Sequence, residues 1–262
     1  MRKLKLGTEV SFVFCLVDAF TGEAAKNGSY KIILPPCSKA PLYKDDGFVV
    51  FCGIPSGNYI IDIFSDKYHN ESVAVSVPED FAEPPVSYIS LKPRPSYIFA
   101  PDATLIRLSV VDENNLPVKD AKIVAEIISS ECMRGKIAKV PVKKGDNEFY
   151  ISSITGKVSV RDEYQIGNED DKKEFIVIDR QLDKLRHYSI RNAFQHDHDR
   201  GSSLMPVVKA ITDDRGEAVV YFRSMPVKYF NVNITINYKD IRIERKVTME
   251  EGKTTYIGRI NL

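Results

Sequence analysis

Asp45-Asp46-Gly47-Phe48-Val49-Val50-Phe51-Cys52-Gly53-Ile54-Pro55-Ser56-Gly57-Asn58-Tyr59-Ile60-Ile61-Asp62-Ile63 reads as turn, strand, tight turn, strand. Asp46-Gly47 is a turn dipeptide, because glycine accepts positive φ and aspartate bonds its own nearby backbone. The β-branched and aromatic run that follows suits a pleated, packed surface. Pro55 presets φ for a second turn, and Gly57 supplies its flexible position. The chain then returns through Tyr59, Ile61 and Ile63, alternating with Ile60, Asp62 and Phe64. This is the pattern of a β-hairpin.

Upstream, Ser11–Val17 is a near-continuous apolar run, as expected of a strand inside a sandwich, and Asp18–Glu23 ends it with a turn. Tyr30–Leu34 forms a second strand, stopped by Pro35-Pro36, which cannot donate to a ladder. Downstream, Glu71–Val77 and Val86–Leu91 complete a set of closely spaced strands that argues for a small antiparallel sandwich. Pro93, Pro95 and Pro101 then mark a boundary, since a proline-rich stretch is extended and semi-rigid. The reading is a first sandwich over 1–92, a linker over 93–103 and a second domain over 104–262.

After the linker the pattern begins again. Leu105–Asp112 answers Phe12–Asp18, Asp214–Pro226 answers Asp46–Pro55, and Asn231–Tyr238 answers Asn58–Ile63. Both copies end on a strand, Val86–Leu91 and Thr255–Leu262. Self-similarity of this kind indicates two copies of one supersecondary unit. The expected fold class is all-β: two tandem Ig-like antiparallel β-sandwiches.

The copies differ in the middle, where the second is about 74 residues longer. The insertion spans about 143–205, with strands expected over Phe149–Ile154 and Glu174–Ile178. Ile178, Leu182 and Leu185 fall at helical spacing and predict a short amphipathic helix. The mixed charges of Asn168–Glu174 fit a solvated tip.

Thirty-seven basic residues against thirty-six acidic ones leave no net field to steer the chain toward nucleic acid or an anionic membrane. No run approaches the roughly 20 apolar residues that span a bilayer. The start has a basic pair and no apolar region behind it, unlike a secretory signal. The expectation is cytoplasmic synthesis without a signal peptide. Cys15, Cys37, Cys52 and Cys132 show no metal-like spacing and read as reduced thiols, with a Cys15–Cys52 bridge the alternative.

The order apolar strand, Asp-x-x-Thr-Gly, strand, Asp-Gly-x-x-x-Phe-x-Gly-Ile-Pro-x-Gly-x-Tyr resembles the carboxypeptidase-regulatory-like, transthyretin-like β-sandwich superfamily. It is carried by Asp18, Thr21, Gly22, Asp46, Gly47, Phe51, Gly53, Pro55, Gly57 and Tyr59. The second copy keeps Asp112, Pro117, Ala121, Asp214, Gly216 and Pro226, and replaces the Gly-x-Tyr turn by Lys228-Tyr229-Phe230. The joint carries a narrower similarity, to accessory proteins of contractile phage-tail-like injection systems. Its residues are Leu91, Pro93, Pro95, Tyr97, Phe99, Pro101, Ala103, Thr104, Leu105, Ile106 and Arg107. What the resemblance implies is a domain that stabilises, spaces or binds within a larger assembly, in a particle released from the cell.

His196 and His198 would share one side of an extended segment and, with Asp197 or Asp199, form the one cluster of metal-ligand residue types. A third or fourth ligand is missing apart from the distant His187, so a polar loop is the competing reading. No catalytic constellation stands out, and neither an enzyme nor a cofactor is expected. A hydrolase of the transthyretin-related type would carry a C-terminal Tyr-Arg-Gly-Ser, where this chain has Tyr256-Ile257-Gly258-Arg259. Tyr88, Tyr97 and Phe99 flank the linker and either pack it against the sandwiches or form an aromatic docking patch. In the insertion, Tyr164, Tyr188 and Phe194 are the aromatics open to partner or sugar contact. The function expected is a non-catalytic structural or adaptor component with protein partners, against a carbohydrate- or cell-surface-binding module.

Overall fold

The computed structural model describes residues 9–35, 40–44, 46–79, 84–167 and 172–262. Cys37, Asp45 and the Asn168–Asp171 part of the charged tip lie outside them. The chain divides into two compact units, Met1–Ile98 and Phe99–Leu262.

The first unit contains β1 (Val10–Asp18), β2 (Lys31–Ile33), β3 (Leu42–Tyr43), β4 (Phe48–Cys52), β5 (Gly57–Phe64), β6 (Glu71–Val77) and β7 (Val86–Leu91). They form two sheets, in the orders β3-β4-β1-β7 and β2-β5-β6. Successive strand residues point to opposite faces, so alternate positions of both sheets meet in one core. Phe12, Phe14 and Leu16 of β1, Val49 and Phe51 of β4, and Ile61 and Ile63 of β5 are all buried there. The rings of Phe12 and Phe51 stack at 4.4 Å.

The second unit contains β8 (Thr104–Val111), β9 (Lys122–Ile127), β10 (Gly135–Ala138), β11 (Glu148–Ser152), β12 (Glu163–Ile166), β13 (Glu174–Gln181), β14 (His187–Ile190) and β15 (Ser203–Ile211). Then follow β16 (Glu217–Phe222), β17 (Tyr229–Tyr238), β18 (Ile241–Glu250) and β19 (Thr254–Asn261). One sheet runs β16-β8-β19, and the other β10-β11-β14-β13-β12-β15-β9-β17-β18. An additional β10–β15 pairing closes the first six strands of the larger sheet into a small barrel.

The two units share a connectivity. β1 pairs antiparallel with β4 and parallel with β7. In the second unit β8 pairs antiparallel with β16 and parallel with β19. The opposing sheets correspond as β2-β5-β6 and β9-β17-β18. Backbone bonds repeat as well: Leu16 N–H donates to Gly47 O and Ala25 N–H to Leu16 O, as Val110 N–H donates to Gly216 O and Val118 N–H to Val110 O. Gly47 and Gly216 both have positive φ, +81° and +71°. A Cβ would lie 2.7 Å from Ala24 Cβ at the first and 2.5 Å from Val110 O at the second, so both sites require glycine.

Two expectations of secondary structure are corrected. The Asp45–Ile63 stretch is not a hairpin, because β4 and β5 lie in different sheets. Its Gly53–Ser56 turn is an arch that carries the chain across the core, so Val49 and Phe51 face Ile61 and Ile63 instead of pairing beside them. Ser11 pins the arch: its Oγ accepts from Ile54 N–H at 2.8 Å and donates to Ile54 O. The echo across β16 and β17 is likewise an arch between sheets.

The predicted helix is a strand turn. Ile178 alternates with Ile176 on the core face of β13, while Leu182 and Leu185 sit exposed between β13 and β14. The Asp183 carboxylate accepts from Leu185 N–H at 2.7 Å and His187 N–H at 3.2 Å, a local bond pattern that competes with helix. Among the described residues the one helical segment is a 3-10 turn, Ser130–Cys132.

The proline-rich stretch is in part folded. His69 N–H donates to Lys92 O, Arg94 N–H to Lys67 O and Ser96 Oγ to Asp66 O, which make Lys92–Tyr97 part of the first unit. The added elements of the second unit also start at Ser130, ahead of position 143.

Candidate functional site

The insertion between β9 and β16 is where the second unit departs from the first. Ile137, Phe149, Ile151, Tyr164, Ile166, Ile176, Ile178, Tyr188, Ile190, Phe194 and Leu204 line its barrel and form a core of their own. Strand β15 joins this core to the sandwich: Leu204 belongs to the barrel core, while Met205 belongs to the sandwich core with Val220, Phe230 and Val232.

Tyr164, Tyr188 and Phe194 are 2%, 4% and 1% exposed. They are core residues and do not form a docking or sugar-stacking surface. Tyr164 Oη donates to Asp162 at 3.1 Å, and Phe194 meets Phe149 edge-on at 5.6 Å. For Tyr164 and Tyr188 the apolar alternation of their strands carried this information, while Phe194 lies in the loop between β14 and β15. An aromatic in register with Ile166 or Ile190 faces inward.

His198 is buried, with Nε2 2.5 Å from Glu174 Oε1. The same carboxylate accepts from Gln195 N–H at 2.9 Å and His196 N–H at 3.3 Å. Glu174 stands in the core-facing register of β13, two residues before Ile176, and burial of a carboxylate needs such partners. His198 also exchanges backbone bonds with Val142, so the pair pins the 193–198 loop to the barrel. Asp197 turns outward, to Lys143 Nζ at 2.9 Å and Lys144 N–H at 2.8 Å. These bonds hold its carboxyl below the usual carboxylate range. Among the described residues no group of three His, Cys, Asp or Glu side chains is placed to hold a metal ion.

A second polar cluster ties the barrel to the sandwich. The buried Arg134 guanidinium donates to Thr155 O at 3.1 Å, to Ser224 O at 2.8 Å and to Arg223 O. Arg223 in turn pairs with Asp162, which also accepts from Ser159 N–H at 2.8 Å. Burial, with the like charge of Arg134 beside it, lowers the Arg223 pKa. These are structural struts, since each donor reaches a carbonyl or carboxylate of a neighbouring segment.

On the outer face of the barrel the sequence reading missed two features. Phe175 is 43% exposed, with Lys173 and Lys209 each 5.6 Å from its ring centre. Those lysines are held by Glu126 and Glu163. Tyr150 stacks on His187 at 4.2 Å and carries Lys139 over its ring at 3.3 Å. Outward register in β13 and β11 was the available signal for both. Near the proline-rich stretch, Tyr97 Oη donates to Asp18 Oδ2 at 2.6 Å and its ring packs on Tyr68 and Phe20. Phe99, in the second unit, lies 6.4 Å from Tyr221 and under the Arg107 guanidinium. Tyr88 is 38% exposed.

Taken together, the molecule is an all-β protein with sandwich packing and a six-strand barrel. No helix among the described residues is long and apolar enough to cross a membrane. No family model matches the chain, and no curated protein matches it. The resemblances stated above therefore rest on the quoted residues alone. Among solved structures, a Streptococcal ancillary pilin aligns at 10% identity over 97% of this chain and 69% of its own, with a TM-score of 0.27. The Bacillus anthracis TIE protein aligns at 13% over 97% of this chain and 50% of its own, with a TM-score of 0.25. A shaft pilin SpaA of Lactobacillus rhamnosus GG aligns at 9% over 97% of both chains, with a TM-score of 0.24. All three scores lie below 0.5, and neither fold nor function is carried over from them.

Proposed function

We propose that the chain is a non-catalytic structural or adaptor component of a multi-protein assembly, built from two transthyretin-like sandwiches, the second bearing a barrel that meets a partner. One observation carries this reading. The side chains that set the insertion apart chemically are committed inward, His198 to Glu174, Asp162 to Arg223, and Tyr164, Tyr188 and Phe194 to the barrel core. What the insertion offers a partner is then shape and an outer surface that includes Phe175 and the Tyr150–His187 stack. A barrel fused to the sandwich through β15 and the Arg134 struts holds that surface without a hinge of its own.

The particular assembly we propose is a contractile phage-tail-like particle, on the residues Leu91–Arg107 at the joint. Immunogold labelling of particles and of whole cells from the source organism tests it. Gold on isolated particles supports the reading. Gold confined to the cell envelope, with glycan-array binding by the purified chain, overturns it in favour of a surface-binding module.

A further inference from the structure

Strand β6 pairs with β5 along all seven of its residues, from Glu71 opposite Ile63 to Val77 opposite Gly57. Among the described residues no strand pairs with its other edge. A free edge is a row of unused N–H and C=O groups, and proteins ordinarily guard one with lysine, proline, a bulge or inward charge. β18, an outer strand of the second unit, is guarded in this way by the exposed Arg242, Glu244, Arg245 and Lys246. β6 is not. Its centre, Ser72-Val73-Ala74-Val75-Ser76, holds no charge and no proline.

That centre also reads identically in both directions. An antiparallel pairing with a second copy, centred on Ala74, sets Ser72 opposite Ser76, Val73 opposite Val75 and Ala74 opposite itself. Ser72, Ala74 and Ser76 are exposed on the outer face, while Val73 and Val75 are half-buried on the core face. In this register half-buried valines meet half-buried valines and small outer residues meet small outer residues. A slip of one residue would set an inward valine against an outward alanine and mismatch the faces. No like charges oppose each other, because Glu71 falls opposite Val77. Asp62, opposite Ser72 on β5, accepts from Ser72 Oγ at 2.6 Å.

We propose that β6 is a self-association edge, through which two copies of this chain join their three-stranded sheets into one six-stranded sheet about a two-fold axis at Ala74. The pairing adds roughly six to eight backbone hydrogen bonds, two for each residue pair that exchanges them. Seven residues of edge are small beside the about 800 Å² per partner of a standard interface, so the dimer is weak and concentration-dependent.

Sedimentation velocity of the full chain from about 1 μM to about 1 mM spans the range of such a dimer and tests it. The expected result is a dimer fraction that grows with concentration, is lost in Ala74→Glu and in Ala74→Lys, and returns when the two variants are mixed. Position 74 is exposed, and return on mixing separates charge repulsion from misfolding. Under oxidation Ala74→Cys should cross-link to itself, whereas Ser72→Cys should cross-link only to Ser76→Cys. A wild-type chain that stays monomeric throughout, a dimer that persists in both charge variants, or a mixture that stays monomeric overturns the proposal.

Discussion

Leu204 and Met205 are adjacent in strand β15 and point into two different hydrophobic cores, Leu204 into the barrel and Met205 into the sandwich. The alternation of a strand makes this possible, and the strand's pairings continue it: β10 and β12 hold its first half, β9 its second. Leu204→Ala should cost about 3 kcal/mol and Met205→Ala about 2 kcal/mol, as large-to-small changes in closed cores do. Urea unfolding of each variant checks this, and neither substitution should produce a new intermediate.

Asp18 is the polar anchor of the first unit. It accepts from Phe20 N–H, Thr21 N–H, Tyr68 Oη and Tyr97 Oη, all within 3.1 Å. Hydrogen bonds to an ionised acceptor are worth more than neutral ones, so Tyr97→Phe should cost about 1.5 kcal/mol. Asp18→Ala leaves four donors without their acceptor and should cost about 3 kcal/mol. Melting of both variants distinguishes packing from docking, since a Tyr97 that serves only a partner would leave the melting temperature unchanged.

Glu174→Ala strands His198 and two backbone amides in the barrel. It should destabilise the second unit by about 3 kcal/mol, the scale for breaking a buried pair by removing one member. EDTA should leave the melting temperature of the wild-type chain unchanged. A drop with EDTA, reversed by Zn²⁺, would instead assign the histidines to a metal.

Stability should fall at alkaline pH. Burial pushes the Cys132 thiol from 9.0 up to about 11 and the Tyr30 hydroxyl from 10.0 up to about 12. Both groups stay neutral in the folded chain to a higher pH than in the unfolded one. Their contributions are complete below pH 9 and pH 10 respectively, and are lost as pH rises through about 11 and about 12. Thermal melts between pH 8 and pH 12 read this, and Cys132→Ala should flatten the first part of the decline.

In the described part of the chain Cys15, Cys52 and Cys132 are free thiols. The strand register sets Cys15 opposite Phe48 and Cys52 opposite Val10, so the two are not cross-strand neighbours and the Cys15–Cys52 bridge is excluded. Alkylation of the native chain followed by intact mass should modify the half-buried Cys52 before the buried Cys15 and Cys132.

The all-β class and most strands of the first unit were legible, because a strand's composition and alternation are local. Ile61 and Ile63 announce their face by alternating with Ile60, Asp62 and Phe64, whereas the near-continuous apolar run of Ser11–Val17 marks a strand without marking a face. Sheet membership was not legible. Nothing in Gly53–Ser56 distinguishes a hairpin from an arch, since Gly and Pro serve both, and only the opposing partners β1 and β2 decide. Barrel closure depends on Gly135 meeting Leu204, a contact about 70 residues apart that no window along the chain can see. Phe194 failed as a candidate for a related reason: it lies in polar surroundings by sequence, between Asn192 and Gln195, and in an apolar core by topology.

Native-state hydrogen exchange on Leu204→Ala tests the central claim, that barrel and sandwich of the second unit are one body joined through β15. The account predicts that protection falls together in β13 of the barrel and in β9 and β17 of the sandwich. Loss confined to β11–β14, with β9 and β17 protected as in wild type, would contradict it and make the barrel a separately folding appendage.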